Sequence, residues 1–234
     1  DLEKFKAHHN VGIIFVDGKV LRSSLQPIPE RSLSAMKKAL ADIARKKCKT
    51  VLERFDVANK VLDERPKLLN TYADYVRAYT EIQANANEMD EQREEVESMY
   101  QLLKQYNVRV SSEDQFQLEF LVTKGHDFTH KKILEANQHV HEQRTGMVDQ
   151  LQVVSQRVEE DASDLKDVLL KAHAGGEEAI LNPESVLDEL SQIGATLTKL
   201  EEKAATYSDY QGVFGVPSSF EFSSVEKTKA LFAD

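Results

Sequence analysis

The chain has 234 residues and a formal net charge of −10, with 30% charged and 41% hydrophobic residues, nine Gly, five Pro and no Trp. So few turn-forming residues exclude a fold of many short strands and point to long helices. The acidic balance argues against nucleic acid as a partner, and no run of about eighteen apolar residues is present to span a membrane.

The length is enough for a sizeable buried core. Cys48 is the single cysteine, so no internal disulfide can form, which fits a reducing compartment. The opening Asp1-Leu2-Glu3-Lys4 has neither an initiator Met nor a signal peptide, and the expectation is a piece of a larger protein.

Residues 1–26 read as an extended, β-prone segment or hairpin: Val11-Gly-Ile-Ile-Phe-Val16 favours strand, and Asp17-Gly18 is a favoured turn pair ahead of Lys19-Val20-Leu21. Residues 27–110 read as a helical hairpin opened by Pro27 and Pro29 and broken near 63–67 by Pro66. Its first arm carries Leu33, Met36, Leu40, Ile43, Val51, Phe55, Ala58 and Leu62 on one apolar stripe. The second arm carries Leu69, Tyr72, Val76, Tyr79, Ile82, Met89, Val96, Met99, Leu103 and Tyr106, with Asn85-Ala-Asn87 its weakest point.

Ser111-Ser-Glu-Asp114 supplies a cap for a long helix over 111–176, whose seam is Met147, Leu151, Val154, Val158, Ala162, Leu165 and Leu169. Unbroken, its roughly sixty residues make a rod of about 90 Å. Gly125 and Gly146 are its expected soft spots, and Gly175-Gly176 its stop. A further long helix is expected over 182–217, from Asn182-Pro183 to Gly215-Val-Pro217, with Leu187, Leu190, Ile193, Leu197, Leu200, Ala204 and Tyr207 on its apolar face. Residues 222–234, with Ser223-Ser224 as cap, begin the next helical element. No fixed-length unit repeats.

Residues that bear chemistry do not assemble into a reaction centre. Gly12 and Gly18-Lys19 superficially resemble a phosphate loop, but five residues separate the glycines and Val20 follows the lysine, so a β-turn is the reading. His126 and His130 share a helical face, but the run His-Asp-Phe-Thr-His has Asp where a zinc protease has Glu. His139 and His141 are two residues apart and point to different sides. Exposed helix-surface histidines are the first reading, and an adventitious metal at His126 and His130 the second. Cys48 lies in Arg45-Lys-Lys-Cys-Lys49, a setting that lowers a thiol pKa, yet no His partner accompanies it, and a core or boundary thiol is the reading.

That basic run, with Lys37 and Lys38, and the acidic run Glu88–Glu97 read first as solvated helix faces and second as a cross-helix or partner-docking pair. The aromatics Tyr72, Tyr75, Tyr79, Tyr100, Tyr106, Tyr207, Tyr210, Phe214, Phe220 and Phe222 fall mostly at helical spacing and read as core, the last group as a joint between bundles. No catalytic, cofactor-binding or metal-ligating residue is assigned, and no cofactor is expected.

Three motifs are less generic. They are Phe15-Val-Asp17 with Leu21, Leu25, Pro27 and Pro29; Met99-Tyr-Gln-Leu-Leu-Lys-Gln-Tyr-Asn-Val-Arg-Val110 before an acidic cap; and Tyr207-Ser-Asp-Tyr-Gln-Gly-Val-Phe-Gly-Val-Pro217. In order and spacing the chain resembles the tail, or stem, of dynein heavy chains just before the linker, in wording closest to the axonemal forms. One segment differs, Ser218-Ser-Phe-Glu-Phe222, where the family often has a turn with Pro and acids.

The resemblance implies a curved stack of helical bundles that carries intermediate and light chains, meets neighbouring heavy chains and anchors the motor, in a cilium or flagellum, to the axoneme. The ATPase ring and microtubule-binding tip of such a parent lie elsewhere, so the segment itself is expected not to be an enzyme. The fold expected is all-α, an elongated bundle of long, antiparallel, coiled-coil-like helices with a short extended or hairpin N-terminal segment, forming one tail module. Expected partners are other dynein subunits, with no nucleic acid, membrane or small-molecule substrate, in the cytoplasm or cytoskeleton. The rival reading is a spectrin- or plakin-like scaffold, whose repeats of about a hundred residues are usually marked by Trp. A nucleotide-binding domain is the third.

Overall fold

The computed structural model describes residues 8–174, 183–216 and 220–233. Strands β1 (His8–Val11) and β2 (Ile14–Asp17) precede helices α1 (Lys19–Leu25), α2 (Pro27–Leu62), α3 (Leu69–Gln105) and α4 (Ser112–Asp127). A π turn (Phe128–Lys132) follows, then α5 (Ile133–Ala174), α6 (Pro183–Val213) and α7 (Ser223–Ala233). The fold class is all-α, a helical bundle with one small hairpin. The Gly175-Gly176 stop, Asn182 and Pro217 lie outside the described residues.

The hairpin turns at a different place from the one the sequence suggests. β1 and β2 pair antiparallel with Val11 opposite Ile14, so the turn is Gly12-Ile13, and Gly12 takes the left-handed φ of +64° that such a tight turn requires. Asp17 does not turn the chain. Its Oδ1 accepts from the Lys19 N–H at 2.9 Å and so starts α1, where an extended segment to residue 26 is expected.

The chain divides into two compact units, Asp1–Asn59 with Asn85–Lys132, and Lys60–Ala84 with Ile133–Asp234. In the first, α2, α3 and α4 alternate in direction. Lys37 meets Tyr106, Lys47 meets Glu95 and Arg54 meets Glu88, so α2 and α3 run antiparallel. Arg45 meets Asp114 and Lys124 meets Asp56, so α2 and α4 run parallel. Cys48, Val51 and Phe55 of α2, Val96 and Leu103 of α3, and Leu121 of α4 are buried. Phe128 joins them edge-on to Phe55, with ring centroids 5.1 Å apart. Gly125 is where α4 comes close to α3, because a Cβ there would overlap Cδ of Arg93.

Helical bonding continues from Ser112 to Ala174, but at residues 128–132 it widens to the π pattern. The extra residue re-phases the buried face, so that the step from Phe128 to Ala136 is eight rather than seven. Neither Gly125 nor Gly146 breaks the helix, and α3 passes through Asn85–Asn87 without interruption.

The second unit is organised by α5. Met147 and Leu151 pack with Tyr72, Ala73 and Val76 of α3 and with Phe214 just beyond α6. Two to three turns past Leu151, Val158 and Ala162 pack with Leu200 and Ala204 of α6 and Val225 of α7. Three stripes differ from the sequence reading. Leu187 and Leu190 are exposed, so the buried face of α6 begins at Ile193 among the described residues, Leu33, Met36 and Ile43 of α2 are exposed rather than core, and so is Tyr106 at the end of the α3 stripe.

Truncating Leu151 to Ala should destabilise the second unit by roughly 2–5 kcal/mol, because the cavity is walled by helices that cannot collapse together. Val153→Ala, at an exposed position of the same helix, should shift stability by less than about 0.5 kcal/mol. Denaturant unfolding followed by circular dichroism distinguishes the two.

Candidate functional site

The residues most distinctive in the sequence gather where helices end. At the end of α6, Gly215 has φ +66°, its N–H donates to the Gly212 carbonyl at 3.1 Å, and the Val216 N–H donates to the Gln211 carbonyl at 2.9 Å. This is the paired closure that satisfies the last carbonyls of a helix, and it favours glycine because other side chains crowd the backbone at positive φ. The carbonyls left over are taken from across the bundle. Arg144 of α5 donates through Nε to the Phe214 carbonyl at 2.9 Å and through an Nη to that of Gly215 at 3.2 Å.

Around this cap the aromatics form a ladder. Tyr207 and Tyr210 have centroids 6.3 Å apart, Tyr210 and Phe214 stack at 6.2 Å, and Phe214 leans on Tyr72 at 5.3 Å. The buried Tyr72 hydroxyl donates to the Val140 carbonyl at 2.8 Å, and burial pushes its pKa up. Arg77 lies 5.8 Å from the Tyr210 ring and pairs with Asp209 and Asp74. Beyond the cap, Glu159 Oε1 of α5 accepts from Ser223 Oγ at 3.1 Å and from the Ser224 N–H at 2.7 Å, placing a carboxylate at the positive start of α7.

A matching device closes α3 within the first unit. Asn107 has φ +53°, its N–H donates to the Lys104 carbonyl at 3.0 Å, and the Val108 N–H donates to that of Leu103 at 2.9 Å. Lys37 Nζ donates to the Tyr106 carbonyl at 2.9 Å and lies 5.6 Å from the Tyr106 ring. Three residues later Ser111 caps α4, its hydroxyl accepting from the Asp114 N–H at 3.1 Å. Asp114 is itself buried and takes both a 2.8 Å Nε bond and a 2.8 Å Nη2 bond from Arg45. That guanidinium, with the Ser111 cap, holds the Asp114 carboxyl below the usual carboxylate range.

Cys48 is fully buried, and burial, then the Asp114 charge, pushes its thiol up to about 11, the opposite of activation by the surrounding lysines. His126 and His130 lie side by side with ring centroids 4.5 Å apart. Among the described residues no three His, Cys, Asp or Glu side chains gather to hold a metal, and no helix is long and apolar enough to cross a membrane. His139 departs from the surface reading: it meets Tyr75 edge-on at 5.8 Å, and burial, then the Arg65 charge, lowers its pKa.

The acidic run is more than a solvated face, because Arg54 reaches Glu88 and Gln92, Lys47 reaches Glu95, and Arg93 holds Asp90 and Glu97. Sequence reasoning missed Arg144, Arg77 and Glu159. Each reads as an ordinary surface charge on a helix, Glu159 within the run Glu159-Glu160-Asp161, with no local signal of what lies opposite.

These arrangements grip main chain and aromatic rings, and so define a bundle whose helices are joined through capped turns. No protein-family model matches the chain. The chain is similar to dynein axonemal heavy chain 6 from Homo sapiens, with 25% identity over 243 residues. The alignment takes in 98% of this chain but only 6% of that protein, so the chain spans a small part of its relative's length. The similarity supports a relation to dynein heavy chains.

Arg144→Met should cost about 1–3 kcal/mol, the worth of charge-assisted bonds to carbonyls that lose their partner. Gly215→Ala should cost roughly 1–2 kcal/mol through its positive φ, and native-state hydrogen exchange should show faster amides at 214–216 in both variants. Asp114 supplies the pH dependence. Its folded pKa is depressed, so its stabilisation is present above the unfolded value of about 4 and is lost as pH falls through the folded value. Asp114→Asn should therefore be less stable than the parent at pH 7, with the gap closing below about pH 4 in urea titrations.

Proposed function

We propose that the chain is a non-catalytic segment of a dynein heavy-chain tail, just before the linker, that carries force between the motor and an anchored, accessory-chain-binding base. The observation that carries this reading is the similarity to an axonemal dynein heavy chain along 98% of the chain. The bundle's chemistry supports it, since its distinctive residues hold helix ends together. A segment under load fails first where helices join, and there the orphan carbonyls have been given both a left-handed cap and a cation from a neighbouring helix. The proposal extends to a ciliary or flagellar axoneme as the location, and to intermediate chains, light chains or neighbouring heavy chains as partners.

The test is a single-headed axonemal dynein carrying this segment in its heavy chain, in parent form and with Leu151 and Val158 both changed to Ser. The substituted motor is expected to keep its ATPase rate within about twofold, a change of under ~0.4 kcal/mol in barrier, while microtubule gliding under load falls by at least about fivefold. Unchanged gliding under load would refute force transmission through this segment.

A further inference from the structure

From Ala44 onward α2 buries one face, through Cys48, Val51, Phe55 and Ala58. Upstream the same face continues as Leu33, Met36, Leu40 and Ile43, at steps of three, four and three, which is the seam of a helix meant to pack on another. Nothing covers it. Leu33 is 47% exposed, Met36 68% and Ile43 50%, and no described side chain of α2 before Ala44 is buried.

The reason is helix length. The cap of α3 meets α2 at Lys37 and the first turn of α4 meets it at Arg45, so α2 overhangs its bundle by about three turns. The hairpin ahead of it adds Ile13, 105% exposed, and α1 adds Val20, 78% exposed. A two-stranded hairpin is marginal alone, and an exposed apolar stripe at helical spacing marks an interaction face.

Charge says what fits. Between residues 27 and 47 stand six Lys or Arg against two acids, in a chain whose net charge is −10, and of the six only Arg45 and Lys47 are paired with acids of other helices, Asp114 and Glu95. Lys37 and Lys46 flank the stripe on its two sides, and Arg31, Lys38 and Lys46 form no ion pair among the described residues. A second copy of the strip would bring the same excess of cations, whereas an acidic helix meets complementary charge on both sides of an apolar seam.

We propose that this overhang is a docking face for an acidic amphipathic helix of a separate polypeptide. Its apolar seam seats on Leu33–Ile43 and its Glu or Asp flanks face Lys37 and Lys46. The inference rests on this surface and not on the relation to dyneins.

The test uses the whole chain and a fluorescein-labelled synthetic peptide about four heptads long, with Ile at a, Leu at d and Glu at every e and g, beside the same peptide with Lys at e and g. Fluorescence anisotropy should give binding of the Glu peptide at least about tenfold tighter than that of the Lys peptide. Met36→Asp with Ile43→Asp should weaken it by at least about tenfold while leaving the melting temperature unchanged, because neither side chain is in the core. Lys46→Glu, which leaves the seam intact, should narrow the preference between the two peptides. Equal binding of both peptides, no binding of the Glu peptide up to about 100 μM, or wild-type binding by the Asp variant would overturn the proposal. So would a chain that sediments as a dimer and becomes a monomer in the Asp variant.

Discussion

One strip of α5 is shared by three other helices, and the second unit depends on it. Met147 and Leu151 serve α3 and the end of α6, while Val158 and Ala162 serve α6 and α7. Fully burying a side chain of leucine size is worth roughly 1.5–3 kcal/mol, and a folded domain is stable by only about 5–15 kcal/mol. A few positions at helical spacing therefore decide whether these helices stay together. Ser155 sits in the same strip, fully buried.

Burying stripes explains why long helices associate, but not where they stop. Each end leaves carbonyls or amides without partners, and the joints meet this by local geometry and by reach. Asn107 and Gly215 take up the left-handed conformation that folds the chain back on its own carbonyls, while Lys37 and Arg144 arrive from other helices to take what remains. The same logic runs in reverse at the start of α7, where a carboxylate from α5 meets the Ser224 amide and the Ser223 hydroxyl. Ends fixed to neighbours make the turns part of the packing, and this links the bundle to the mechanical role proposed for it.

The all-α class was legible because scarce Gly and Pro and a three-to-four apolar spacing leave little else to build. Pro66 and the Ser111 cap are equally local signals, and the helices on either side end and begin beside them. What stayed hidden depends on partners distant in sequence. Leu33 to Ile43 look like core because a stripe has the same spacing whether or not a helix lies against it. The π turn contains neither Gly nor Pro, and it sits where buried Phe128 must be followed by a shifted face. Cys48 lies among lysines in sequence yet faces the core, so burial overrides the charges nearby. Gly215 could be seen as a helix stop, but nothing around Arg144 shows that it clamps that stop from about seventy residues away.

Amide hydrogen exchange on the unsubstituted chain tests the central claim most directly, since it ranks segments by the packing that protects them. Slowest exchange is expected at 147–162 and 193–204 in one unit and at 48–55 and 96–103 in the other, with 28–40 exchanging much faster within the same helix as 48–55. Uniformly fast exchange across 147–162, or protection of 28–40 equal to that of 48–55, would contradict the account.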